Sequence, residues 1–71
     1  MSYTKESLQA ALIYAIPNAE AVLESMTIPR AIDEAAVELF RSEDFHSEEA
    51  VVIRDAVNDI RKTGQLNYTN L

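Results

Sequence analysis

The chain has 71 residues, a net charge of −6 and no cysteine. That length makes a single domain, 1–71, and the missing thiols exclude a disulfide scaffold, a thiolate metal site and a cysteine nucleophile. Hydrophobic residues make up 48% of the sequence, enough apolar material for the dense core that so short a chain needs.

The charge is unevenly spread: residues 18–59 hold eleven acids against Arg30, Arg41 and Arg54. Such a body repels phosphate backbones and anionic lipid, which argues against direct nucleic-acid or membrane-surface binding. The apolar run at residues 10–16 is short, follows helix-capping residues, and has Lys5 balanced by Glu6. It therefore reads neither as a membrane span nor as a signal peptide. The expectation is a cytoplasmic protein.

One glycine and two prolines leave few breaks, and each stands where a helix should start or stop. In the first segment Thr4 can cap, Tyr3 and Leu8 occupy the two positions of a hydrophobic staple, and Leu8, Ala11, Leu12, Ala15 and Ile16 share a face. Pro17 ends this helix by pushing the residue before it out of the helical region. Asn18 is placed to cap a short second helix that buries Ala19, Val22, Leu23 and Met26.

The third helix opens at Thr27-Ile28-Pro29, since proline's missing amide costs little in a first turn. It presents Ile28, Ile32, Ala35, Ala36, Leu39 and Phe40 as its core face, with Arg30 and Glu34 spaced as an ion pair. The fourth follows Ser47, with Ala50, Ile53, Ala56, Val57 and Ile60 inward. Arg61 and Lys62 match the dipole of its last turn, and Gly64 supplies a left-handed stop. Residues 64–71 form a loosely held tail in which Leu66, Tyr68 and Leu71 alternate with polar residues, Leu66 folding back on the helix end. The pattern predicts an all-α fold, a small compact bundle of three longer helices and one short second helix.

The stretch SEDFHSEEAVVIRD concentrates Glu43, Asp44, Glu48 and Glu49 around His46, the sole histidine. Glu48 and Glu49 fall in the first turn after Ser47, where the helix dipole favours each carboxylate by about 0.3–1 kcal/mol. Glu43 and His46 have the E-x-x-H spacing that would place them on one helix face in a carboxylate-bridged metal bundle. That chemistry needs a second such pair, and only one histidine exists. The loop also lacks the ligand spacing and central glycine of an EF-hand. The serines have no glycine-rich elbow or phosphate loop beside them. Asp33 with Glu34, and Asp55 with Asp59, fit the wet faces of amphipathic helices better than an acid–base pair. No catalytic residue, cofactor or metal is expected, so the chain does not read as an enzyme.

Two helices and a tight turn over residues 19–39 have helix-turn-helix proportions, but the second offers Asp33 and Glu34 where phosphates and base edges require donors. The acids instead suggest attraction of a basic protein, for example one that itself binds nucleic acid, which the chain would mimic electrostatically. The expected function is a small acidic non-catalytic protein-binding module that regulates or inhibits such a partner. Its partner-binding residues would be Glu20, Glu24, Glu34, Glu38, Glu43, Asp44, Glu48 and Glu49. The alternative is a self-associating structural or accessory protein, as a homodimer, using Tyr14, Val37, Val51 and Val52 at the flanks of the apolar stripes.

Overall fold

Thr4 starts the first helix by more than its hydroxyl alone. In the computed structural model, which describes residues 3–66, its side chain accepts the Ser7 amide at 3.0 Å while the Ser7 hydroxyl accepts the Thr4 amide at 2.9 Å. The pair forms a capping box with serine in the place usually held by Glu or Gln. Tyr3 and Leu8, both 3% exposed, pack into the core on either side of this cap, as the staple requires.

The resulting α1, Lys5–Ala15, ends at Ile16 in extended backbone just before Pro17. Asn18 then takes a left-handed conformation, φ +55°, and makes no side-chain cap bond. It starts α2, Ala19–Glu24, by reversing the chain and not by capping, which corrects the sequence reading. Thr27 caps α3, Ile28–Arg41, and Ser47 caps α4, Glu48–Thr63, each accepting the amide three residues on. Gly64, φ +80°, stops α4 with its amide on the Ile60 carbonyl at 2.9 Å.

These elements make the all-α bundle of three longer helices and a short second one. Helix α1 packs chiefly on α4, α3 packs on both, and α2 bridges α1 and α3 without touching α4. Ala11, Ala31, Ala35 and Ala56 are completely buried at the centre beside Leu12, Ile32 and Ile53. Small side chains at such positions bring helix axes toward the close end of the roughly 8–10 Å range. The radius of gyration, 11.1 Å, matches the approximately 11 Å of a fully compacted chain of this length. Leu66 packs against the core from beyond Gly64, while Tyr68 and Leu71 lie outside the described residues.

One long-range bond closes the assembly: the Tyr3 hydroxyl donates to Asp59 Oδ2 at 2.6 Å, joining the start of the chain to α4. The expected core face of α3 holds at Ile32, Ala35, Ala36 and Leu39 but fails at its two ends. Ile28 is 47% exposed and Phe40 71% exposed. Phe40 sits at the edge of the stripe. The Arg30–Glu34 pair does not form; instead Arg41 meets Glu38 at 3.8 Å.

Candidate protein-binding surfaces

The eight acidic candidates fall into distinct groups. Glu20 and Glu24 project from α2, Glu34 and Glu38 lie four apart on α3, and Glu43, Asp44, Glu48 and Glu49 gather in the α3–α4 loop and the first turn of α4. Because α2 and α4 do not touch, the first group stands apart from the last. Glu38 has Arg41 beside it, and Asp44 is bonded twice, to the Tyr14 hydroxyl at 2.7 Å and the Ser47 amide at 3.3 Å. The Tyr14 bond, aided by Ser47, holds the Asp44 carboxyl below the usual carboxylate range, and the same bond and charge push the Tyr14 phenol up. Asp44 therefore knits α1 to the loop. The other six carboxylates make no side-chain hydrogen bond or ion pair among the described residues.

Glu43 has unusual backbone. The Asp44 amide bonds the Leu39 carbonyl at 2.9 Å and the Glu43 amide bonds the Phe40 carbonyl at 3.1 Å. Together these form a Schellman motif ending α3. Glu43 occupies its left-handed position at φ +55°, where glycine is the low-cost residue. Helix α4 fills the equivalent position with Gly64. The same geometry undoes the E-x-x-H reading, since Glu43 lies in a turn and shares no helix face with His46. No group of three or more His, Asp or Glu side chains placed to hold a metal occurs among the described residues.

The self-association candidates also separate. Tyr14 and Val37 are about half exposed, but Tyr14's hydroxyl is engaged by Asp44, Val52 packs against the core and Val51 is half-buried. The most exposed large apolar side chain among the described residues is Phe40, whose ring meets that of Phe45 edge to face at 6.0 Å between centroids. They straddle the Schellman turn.

Phe40 and Phe45 stand at one end of a groove of about 370 Å³ between α3 and α4. Ala36 and Leu39 of α3 and Ala50, Ile53 and Val57 of α4 supply its apolar lining, and Arg54, Asn58, Arg61 and the loop's Asp44 its polar lining. Sequence reasoning missed this groove by assigning Phe40 to the core and Arg61 to the helix dipole. A signal was nonetheless available. Every position three or four residues from Arg54 (Ala50, Val51, Val57, Asn58) or from Arg61 (Val57, Asn58, Gly64, Gln65) is uncharged, so neither arginine can form an intrahelical ion pair. Comparison with protein-family models, with curated proteins and with solved structures finds no match to this chain.

Proposed function

We propose that this chain is a small, non-catalytic, acidic protein-binding module that regulates or inhibits a basic protein partner in the cytoplasm. The observation that carries this reading is Glu43: an exposed, unpartnered carboxylate held in left-handed backbone where glycine would cost less. Strain kept at an exposed charge points to use of the charge outside the fold. Glu48 and Glu49 stand five and six residues further on and extend the same negative field, which steers a cationic surface toward the loop. A cysteine-free composition suits the reducing compartment proposed.

The experiment is affinity capture from lysate of the source organism by the wild-type chain and by a Glu43→Gln/Glu48→Gln/Glu49→Gln variant, at about 0.05 and 0.5 M salt. A basic protein retained by the wild type at low salt, and lost both at high salt and with the variant, supports the proposal. A partner whose retention ignores salt and substitution alike overturns it. Self-association is the second reading, favoured by the exposure of Val37 and Tyr14; sedimentation as a monomer at high concentration would remove it.

A further inference from the structure

The groove between α3 and α4 is lined by two arginines and one carboxylate, Asp44, which Tyr14 and Ser47 already engage, so its lining is net positive on a chain of net charge −6. The chain carries twelve acids and six basic side chains, yet Arg54 and Arg61 face the groove with no carboxylate within ion-pair distance among the described residues. They are two helical turns apart on one side of α4, which sets their Cα atoms about 10.5 Å apart along the axis. Beneath them the surface is apolar, and Phe40 and Phe45 leave aromatic area uncovered at its end. Exposed aromatic and arginine side chains around a concave apolar floor are the residue types that dominate binding energy at protein interfaces.

We propose that this groove docks an acidic amphipathic helix of a partner protein. Its apolar side chains fill the space beside Phe40 and Phe45, and carboxylates two turns apart on its flank pair with Arg54 and Arg61. A helix is the occupant that fits, because the arginine spacing repeats at seven residues, the interval at which a helix returns to the same face. Charge selects the sign: a basic helix would meet the two guanidinium groups and be repelled. A second copy of the chain is the poorer occupant, since each copy brings a net charge of −6 and the two bodies repel. This inference goes beyond the acidic-surface reading, because it uses the groove that adjoins the acidic loop and the opposite sign of charge.

The test uses two synthetic helical peptides with leucine at i, i+3 and i+7, one bearing glutamates seven apart on the flank and the other lysines at the same positions. Each is titrated into the isotopically labelled chain and followed by amide shifts. The glutamate peptide is expected to bind saturably with shifts centred on residues 36–40, 45 and 54–61, and the lysine peptide about tenfold or more weakly. An Arg54→Glu/Arg61→Glu variant should reverse that preference; both side chains are exposed and unpaired, and its circular dichroism verifies that the fold is kept. Phe40→Ala should weaken both peptides. The proposal is overturned by no saturable binding of the glutamate peptide, by equal binding of the two, or by shifts mapping elsewhere. It is overturned as well by a dimer that Phe40→Ala dissolves, which would assign the groove to a second copy.

Discussion

Tyr14 in α1 and Asp44 in the α3–α4 loop, thirty residues apart, share a hydrogen bond of 2.7 Å on the surface of the bundle. Asp44's folded-state pKa lies below its unfolded one, so the stability it contributes is present above the ordinary carboxylate value of about 3.9 and is lost as pH falls through the depressed value. Tyr14 is the mirror case: its raised value contributes below about pH 10 and is lost as pH rises through it. Both contributions are therefore complete near neutrality. Tyr14→Phe should move the Asp44 carboxyl titration, followed by carbon NMR, upward toward the ordinary value. An unchanged titration would falsify the assignment of the shift to this bond.

The Tyr3–Asp59 bond predicts a second effect. Tyr3→Phe keeps the buried ring but leaves a half-buried carboxylate without its donor. The cost should be about 1–2 kcal/mol in urea unfolding, since hydrogen bonds to charged groups exceed neutral ones. A loss below a few tenths would show that water replaces the hydroxyl freely.

Left-handed backbone makes a paired prediction with opposite signs. Glu43→Gly should stabilise the chain by about 0.5–1 kcal/mol, the relief of conformational strain exceeding the added flexibility of the unfolded state. Gly64→Ala should destabilise it by about 1 kcal/mol through backbone alone. At Gly64 a methyl group would find nothing within 4 Å, so no steric clash confuses the result. Thermal melts of the two variants moving in the same direction would contradict this account.

Core substitutions should be costly for so small a fold. Ile32, completely buried, should lose about 3 kcal/mol on replacement by alanine, a large part of the roughly 4–10 kcal/mol that a chain of this size commands. Ala35→Leu should cost about 1–3 kcal/mol for the reverse reason, because a larger side chain must push α3 away from its neighbours. If Ala35→Leu leaves the urea midpoint unchanged, the close approach of the helices is not what stabilises them.

Local signals were the legible part of this fold. Thr4 and Ser47 cap as their positions predict, α3 opens at Thr27-Ile28-Pro29, Pro17 stops α1, and Gly64 ends α4, since each effect acts over three or four residues of chain. The two tyrosine–aspartate bonds span 30 and 56 positions and depend on how helices cross, which periodicity does not encode. Phe40 misled for a related reason: an apolar residue at the edge of a stripe is buried only if a neighbour reaches it, and Phe40 stays 71% exposed beside the groove. Asn18 and Glu43 adopt the same left-handed backbone. Asparagine at least hints at it, whereas glutamate carries no such signal. The acidic candidates were readable as residues but not as a surface, because the separation of α2 from α4 is a property of packing alone.

The clasp between Tyr3 and Asp59 also fixes where amine chemistry can act. The chain's two lysines, Lys5 and Lys62, lie two and three positions from its members. Reagents that acylate side-chain amines thus mark the corner where this bond joins the start of the chain to the last turns of α4. Dyes, beads or surfaces coupled through lysine would hold the molecule by that corner and leave the loop at residues 42–47 free to meet whatever is offered to it.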